Sequence, residues 1–155
     1  MFHINIIVIG KNKEFWVESA TDHYLTLLKK YADVAMNYVP DIKQSKNLSD
    51  IELRRAEAIF IKKNLKSDHR IALSNSGKQM DSVAFARYIE ALTMKSGSCD
   101  LIIGGIYGLD KTIIDLCDDT LSLSLMTMSH QLVRPVLLEQ LYRAFSIIAG
   151  GSYHK

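Results

Sequence analysis

Short β-branched apolar runs alternate with amphipathic segments of helical period along almost the whole chain. The first run, Phe2–Ile9, is rich in isoleucine and ends at Gly10, a pattern typical of a buried strand. Further strands are predicted at 34–39, 70–73, 100–103 and 121–124, and helices at 13–31, 49–66, 82–95, 110–118 and 132–149. This alternation predicts an α/β fold, a single open parallel sheet flanked by helices, in one domain over residues 1–155.

Local signals indicate where several helices begin. Ser49 and Glu52 have the spacing of a capping box, in which each side chain accepts a hydrogen bond from the other residue's amide. Ser82 is predicted to cap the third helix. Pro135 has no amide hydrogen, so the last helix is expected to begin shortly before it. The first helix is predicted to carry an apolar stripe that includes Phe15 and Trp16.

Composition excludes several classes of protein. The 155 residues are 48% apolar and 23% charged, which excludes disordered and collagen-like chains. Cys99 and Cys117 have no histidine at zinc spacing, which favours two reduced thiols in a cytoplasmic protein with no metal site. No run approaches the roughly 20 apolar residues of a membrane helix, so a soluble protein with no membrane partner is expected. The basic excess of residues 1–78 weakly favours an anionic partner.

Three loops follow predicted strands at the edge of the sheet where α/β proteins usually bind ligands: 73–78, 104–108 and 122–130. The pattern Gly104-Gly105-x-x-Gly108 matches no phosphate-binding motif, and the helix after it begins with Asp110 and contains further aspartates. If the loop binds a ligand, a neutral or cationic group held by the backbone fits better than a phosphate. An ordinary strand-to-helix turn is the alternative.

The remaining polar features each have a structural explanation. The alternation of apolar and hydroxyl residues over 121–128 favours a half-buried strand over a ligand loop, and His130 is expected to cap or pack against the last helix. Glu139 and Arg143 are spaced for a surface ion pair. By position alone the tail 150–155 is a frayed end, although it places a tyrosine, a histidine and a lysine on a glycine tether.

Several motifs together resemble one known family. The motifs are Ile103-Gly104-Gly105-x-x-Gly108-Leu109, Leu121-Ser122-Leu123-Ser124-x-Met126-Thr127, His130-Gln131-x-x-Arg134, Glu139-Gln140-Leu141-Tyr142-Arg143-Ala144 and Tyr153-His154-Lys155. With these motifs in this order, the chain is similar to the ribosomal RNA large subunit methyltransferase H family. Members of that family are SPOUT-class enzymes with a C-terminal trefoil knot. The resemblance covers the whole chain, and Pro135 departs from the aliphatic residue that is usual at its position.

The resemblance implies an activity, a cofactor and a partner. Members of this family transfer a methyl group from S-adenosylmethionine to N3 of a pseudouridine in 23S rRNA of the assembled ribosome, and they act as homodimers. Carried over by position, the cofactor contacts are Leu73, Gly104, Leu123, Ser124, Leu125, Met126, Thr127 and Met128. On this basis Gly104→Val is expected to block the cofactor while leaving the fold largely intact.

The resemblance also implies catalytic residues, namely His154, Tyr153, Arg143 and Arg134. His154 is suited to take the proton of the methylated nitrogen or to orient the base, because histidine titrates near neutral pH. Either arginine could hold RNA phosphates or stabilise charge on the uracil ring. Nine residues apart on one helix, the two arginines point about 180° from each other. Both therefore serve one active site only if a partner chain shares it.

Two expectations concern RNA and the tail. Seven basic residues are candidates for phosphate contacts, with a solvated helix face as the alternative: Lys43, Lys46, Arg54, Arg55, Lys62, Lys63 and Lys66. The tail is expected to become ordered only when RNA or a partner subunit contacts it. The rival functions are a non-catalytic ribosome- or RNA-binding protein of the same fold and an α/β enzyme that uses another nucleotide.

Overall fold

The computed structural model describes residues 1–42 and 47–154 of the chain. Strands and helices alternate as predicted: β1 (Phe2–Ile9), α1 (Phe15–Leu28), β2 (Ala32–Val39), α2 (Asp50–Asn64), β3 (His69–Gln79), α3 (Ser82–Lys95), β4 (Ser98–Ile103), α4 (Lys111–Ile114), β5 (Asp119–Ser122) and α5 (Val133–Ile148). The five strands form one sheet in the order β2-β1-β4-β3-β5, and every neighbouring pair is parallel. The predicted open parallel sheet flanked by helices is confirmed.

The two faces of the sheet are covered by different helices. On β1, Ile4, Ile6 and Val8 contribute to a core that α1, α3 and α5 cover. Ile7 and Ile9 point the other way, into a smaller core closed by α2 and α4. Because successive strand residues face opposite sides, an unbroken isoleucine-rich run is what a strand buried on both faces requires.

Several helix starts were predicted correctly, and one was not. Ser49 and Glu52 form the predicted capping box, and α5 begins two residues before Pro135, which places the proline in the first turn. The cap of α3 is Asp81 rather than Ser82, because the Asp81 carboxylate accepts a 2.7 Å hydrogen bond from the amide of Ala84. Ser82 is instead the first residue of the helix.

The strands and helices near β5 differ most from the prediction. The strand β3 extends to Gln79, because residues after a register shift between Leu73 and Lys78 pair again with β5. The strand β5 itself ends at Ser122, and α4 is a single turn. The predicted turn at 74–78 therefore lies within a strand, and residues 123–129 form a loop instead of continuing β5.

The first helix also exposes two residues that the apolar pattern assigned to its buried stripe. Phe15 and Trp16 are 85% and 52% exposed, whereas Val17, Thr21 and Leu28 are the buried residues of α1. None of the helices within the described ranges combines the length and apolar character needed to cross a bilayer.

Candidate functional site

A cavity of about 690 Å³ opens at the edge of the sheet where β3, β4 and β5 end. The three loops singled out in the sequence supply most of its wall, and the first turn of α5 contributes Val133. Because the carboxyl ends of parallel strands meet at one edge, these distant segments converge there. The loops are therefore parts of a single concave site.

Seven of the eight residues predicted to contact the cofactor line this cavity: Leu73, Gly104, Leu123, Ser124, Met126, Thr127 and Met128. The exception is Leu125, which is 75% exposed and lies outside the cavity wall. The loop that carries these residues is held by short-range hydrogen bonds. The Ser122 hydroxyl donates to the carbonyl of Ser124, and the Ser124 hydroxyl accepts from the amide of Met126, each at 3.0 Å.

The glycine loop turns tightly back on itself. The amide of Gly108 donates a 3.1 Å hydrogen bond to the carbonyl of Gly105, and Gly108 has a φ of +77°, a conformation that favours glycine. A Cβ atom on Gly104 would lie 2.6 Å from the carbonyl carbon of Gly108 and 2.9 Å from the amide nitrogen of Leu109. The backbone of Gly108 and Leu109 therefore leaves no room for a side chain at Gly104. The expectation that Gly104→Val leaves the fold largely intact is corrected, because the loop must move.

The cavity wall is mainly apolar, carries several hydroxyl groups and is nearly free of formal charge. The wall includes the hydroxyls of Ser74, Ser124, Thr127 and Ser129, and among the described residues it contains no lysine, arginine, aspartate or glutamate. Such a wall offers hydrogen bonds and apolar surface and provides no cation to pair with a phosphate. It suits a ligand that is neutral or positively charged. Across the described ranges, no cluster of three or more His, Cys, Asp or Glu side chains is placed to hold a metal ion.

His130 lies in the cavity wall, although only a capping or packing role was predicted for it. Burial, together with the charges of Arg134 and Lys13, lowers the pKa of His130 below its ordinary value. The imidazole is therefore neutral at neutral pH and can donate one hydrogen bond and accept another. Its position in a strand-end loop immediately before a helix is the sequence signal that could have assigned it to the site.

Arg134 is buried beneath the cavity, with 1% of its surface exposed. Its guanidinium donates to the carbonyl of His130 at 2.9 Å, to the side chain of Asn12 at 2.9 Å and to the carbonyl of Ile9 at 2.6 Å. These bonds hold the start of α5 against the end of β1. In this structure Arg134 fixes the backbone around His130 and does not face solvent.

Gln131 makes a second connection between the same two regions. Its side-chain oxygen accepts a 3.1 Å hydrogen bond from the amide of Lys13, and its side-chain nitrogen donates to the carbonyl of Lys11 at 3.2 Å. The β1–α1 loop is thereby attached to the cavity wall. Gln131 and Arg134, the other two defined residues of the motif His130-Gln131-x-x-Arg134, therefore both hold His130 in position.

The C-terminal tail is ordered on the surface of its own chain. Gly150 has a φ of +68°, and its amide donates a hydrogen bond to the carbonyl of Ile147. The amide of Gly151 donates a 2.8 Å hydrogen bond to the carbonyl of Ser146. This is a Schellman motif, which ends α5 and turns the chain back along it. The expectation that the tail becomes ordered only when RNA or a partner contacts it is wrong for the segment as far as Tyr153.

Tyr153 is held by three residues of the tail's own chain. Its hydroxyl donates to Glu139 at 3.2 Å, its ring meets Tyr142 edge-on at 4.7 Å, and the Arg143 guanidinium lies 4.8 Å from the ring centre. A hydrogen bond to Tyr24, burial and the Glu139 carboxylate raise the pKa of Tyr153. Its phenol is therefore protonated at neutral pH. The predicted pairing of Glu139 with Arg143 is confirmed.

The tail and the cavity contact different parts of α5. Val133 lines the cavity, whereas Tyr153 contacts Glu139 and Arg143, which lie six and ten residues further on, or about 9 and 15 Å along the helix axis. The four predicted catalytic residues therefore do not meet in one chain. Arg134 bonds the carbonyl of His130 in the cavity wall, whereas Arg143, Tyr153 and the exposed His154 lie outside that wall.

The basic residues of α2 approach the site from its other side. Arg54 donates a 3.4 Å hydrogen bond to the carbonyl of Tyr107 in the glycine loop. Four further basic residues are exposed on or just after the same helix: Arg55, Lys62, Lys63 and Lys66. Lys43, Lys46 and Lys155 lie outside the described residues.

Comparison with known proteins agrees with the fold and the motifs. A family described as "Predicted SPOUT methyltransferase" matches residues 2–154. Proteins named "Ribosomal RNA large subunit methyltransferase H" from Bacillus cytotoxicus and Bacillus cereus are 40% and 42% identical to the chain, each over 99% of both lengths.

Solved structures show the same fold at low identity. A probable methylase family protein from Haemophilus influenzae superposes with a TM-score of 0.56 at 16% identity, covering 98% of this chain and 70% of that one. A probable methyltransferase from Bordetella pertussis gives a TM-score of 0.52 at 14% identity, covering 93% and 96%. The chain has the SPOUT methyltransferase fold, and it belongs to the ribosomal RNA large subunit methyltransferase H family.

Proposed function

We propose that the protein methylates N3 of a pseudouridine in 23S rRNA of the assembled ribosome, in the cytoplasm, using S-adenosylmethionine. The observation that carries this proposal is the convergence of seven of the eight family cofactor positions on one cavity. The names of the relatives, which are about 40% identical over the full length, supply the class of substrate. The trefoil knot implied by the resemblance belongs to the same proposal.

The residues present fit S-adenosylmethionine. The cofactor is a sulfonium with no phosphate, and the wall offers hydroxyls, backbone groups and apolar side chains such as Leu73, Leu123 and Met128. When bound, it supplies an electrophilic methyl group. The protein contributes binding and alignment, which account for much of the rate of such transfers. His130, held in place by Arg134, is the titratable side chain best placed to orient a ligand in this cavity.

The proton of the methylated nitrogen must leave as the new bond forms, and we assign that task to the tail. His154 is exposed at the end of the chain and carries the functional group suited to accept or relay a proton. Tyr153 is protonated and held against Glu139, so we assign it to positioning. Arg143 contacts both Tyr153 and Glu139, so it is placed to stabilise negative charge near the tail.

The separation of tail and cavity supports a homodimer with shared sites. The tail contacts α5 about 9–15 Å beyond the cavity residue Val133, so we assign it to the cavity of a second copy. Three exposed apolar side chains are available for the interface, those of Phe15, Trp16 and Leu132. The hydrogen bond from the Lys13 amide to the Gln131 side chain connects the two segments that carry them. Apolar patches of this kind are typical of surfaces that bind a partner.

The basic side of α2 is the surface that we assign to RNA phosphates. Arg54 connects it to the glycine loop, so RNA bound along this helix would lie beside the cavity. Arg134 is excluded from this role in our proposal, because binding RNA would break its three hydrogen bonds.

Two measurements test the proposal. Methyl transfer is assayed on intact ribosomes, separated subunits and naked rRNA, with the modified base mapped; we expect a single pseudouridine in 23S rRNA, modified in intact ribosomes. Calorimetry with S-adenosylmethionine separates this function from its main rival, a non-catalytic RNA-binding protein of the same fold. Binding of the ribosome without binding of S-adenosylmethionine would favour the rival.

A further inference from the structure

A buried carboxyl group lies directly behind the glycine loop. Glu57, on α2, is 5% exposed, and one of its carboxylate oxygens would lie 2.8 Å from a Cβ atom at Gly105. The absence of a side chain at Gly105 is therefore what lets the carboxyl approach the loop. Within residues 1–42 and 47–154, no hydrogen bond or ion pair joins Glu57 to another residue.

Among the described residues, the glycine loop and His130 line both the main cavity and the crevice that contains Glu57. The crevice that contains Glu57 has a volume of about 10 Å³ and shares three wall residues with that cavity: Gly105, Ile106 and His130. A charge in the crevice acts on the cavity through protein and not through bulk water, so screening between them is weak.

Among the described residues, none of the charged neighbours of Glu57 forms an ion pair with its carboxylate. Asp41 lies in the same crevice and adds negative charge, and the nearby Lys13 is 3.5 Å from Asp41. On its own helix, the Arg54 guanidinium donates to Tyr107. Across the crevice, His130 is neutral, and Arg134 donates to three oxygens elsewhere. A cation in the cavity would therefore be the natural partner of this carboxylate.

We propose that Glu57 is a specificity-determining residue that favours a positively charged ligand in the cavity, acting electrostatically through the glycine loop. The inference rests on the proposed function, since S-adenosylmethionine carries a sulfonium whereas the product S-adenosylhomocysteine carries a neutral thioether. An ionised Glu57 strengthens binding of the first more than the second. The residue thereby helps the product to leave once the methyl group is transferred.

Binding of a cation in the cavity should change the protonation of Glu57 in the wild-type protein. Burial, reinforced by Asp41, raises the pKa of Glu57 to about 7. A cation in the cavity stabilises the ionised form and releases part of a proton near pH 7. Two other titratable groups line the crevice, His130 and Asp41. His130 is already neutral and has no proton to release. Loss of the proton release in Glu57→Gln, which keeps Asp41, would assign the proton to Glu57.

The test compares the affinities of S-adenosylmethionine and S-adenosylhomocysteine by calorimetry in wild type and in Glu57→Gln, which keeps the shape of the side chain. Unit charges about 10 Å apart at an effective dielectric constant of ~20 alter an equilibrium roughly tenfold, so the affinity ratio should fall by about that factor in Glu57→Gln. The control is Asp68→Asn, which removes an exposed negative charge at the opposite edge of the sheet, before β3. Its ratio should match that of wild type.

Proton release is measured with the wild type in buffers of different ionisation enthalpy. We expect release with S-adenosylmethionine and none with S-adenosylhomocysteine, and this measurement decides the matter if Glu57→Gln does not fold. An unchanged affinity ratio in folded Glu57→Gln, or equal proton release with both ligands, overturns the inference while leaving the proposed function intact. No binding of S-adenosylmethionine by wild type overturns both.

Discussion

Arg134 donates a 2.6 Å hydrogen bond to the main-chain carbonyl of Ile9, which joins the last helix of the chain to the end of its first strand. The same guanidinium holds the carbonyl of His130 in the cavity wall. The position of the histidine therefore depends on contacts between residues that lie more than a hundred positions apart in the sequence. The charge of Arg134 is buried without a carboxylate partner among the described residues, and carbonyl and amide oxygens compensate it instead.

Arg134→Lys should destabilise the protein, although the charge is kept. A lysine ammonium cannot reach three oxygens in the planar arrangement that a guanidinium provides, so buried acceptors lose their donors. We expect a loss of about 2–4 kcal/mol in the free energy of unfolding, measured by urea denaturation. Arg143→Lys is the control, since its ion pair with Glu139 is a partly exposed pair within one helix and should change stability by less than about 1 kcal/mol. Equal effects of the two variants would contradict the role assigned to Arg134.

Gly104→Ala should disrupt the cavity through a single added carbon. The new Cβ would lie 2.6 Å from the backbone of Gly108, so the glycine loop must shift. We expect the affinity for S-adenosylmethionine to fall by roughly tenfold or more, together with a lower melting temperature. Gly97→Ala is the matched control, because no atom lies within 4 Å of a Cβ built there. If both variants bind the cofactor like wild type, the loop does not shape the site.

The stability of the protein should fall between about pH 5 and pH 7 because of Glu57. Its pKa is raised from 4.5 to about 7 in the folded state, so in this window the folded chain holds a proton that the unfolded chain has lost. The contribution is fully present below pH 4.5 and is lost as the pH rises through 7. Relative to Glu57→Gln, wild type should lose on the order of 2–3 kcal/mol of unfolding free energy, measured by denaturation at several pH values. Parallel pH profiles of the two proteins would argue against a buried, protonated Glu57.

Removing residues 153–155 should abolish methyl transfer and leave cofactor affinity within about twofold of wild type. No described tail residue lines the cavity of its own chain, and the proposed role of the tail in the partner's site is to accept the proton of the base and not to hold the cofactor. If His154 acts through its proton, His154→Ala alone should lower kcat/KM by roughly 10²–10⁴. Steady-state kinetics on intact ribosomes, with calorimetry for the cofactor, measures both effects. Turnover equal to wild type from the truncated enzyme would return the tail to a structural role.

Patterns that depend on local period and on strand ends were predictable from the sequence. The alternation of isoleucine-rich runs with helical segments gave the sheet, and the edge at which parallel strands end brought Leu73, Gly104 and Leu123 to one cavity. The end of β5 was not predictable, because alternating apolar and hydroxyl residues suit both a strand and a hydrogen-bonded loop. Only the bonds around Ser124 distinguish them.

Features that depend on distant contacts could not be read from the sequence. Glu57 looks like one more charge on a polar helix, and only the packing of α2 against Gly105 buries it. Arg134 looks like a residue for RNA until Ile9 and Asn12 are found beside it. The fold-back of the tail depends on Gly150 at positive φ and on the contact of Tyr153 with Glu139, a pairing across 14 residues.

The most direct test of the account is rRNA methylation by mixed dimers. One chain carries Leu123→Trp, which fills the cavity, and the other lacks residues 153–155; two different affinity tags allow the mixed dimer to be purified. Each variant alone should be inactive on ribosomes. If the cavity of one copy works with the tail of the other, the mixed dimer holds one complete site of two and should methylate the pseudouridine at about half the wild-type rate. A mixed dimer that forms, binds S-adenosylmethionine and remains inactive would contradict the shared site.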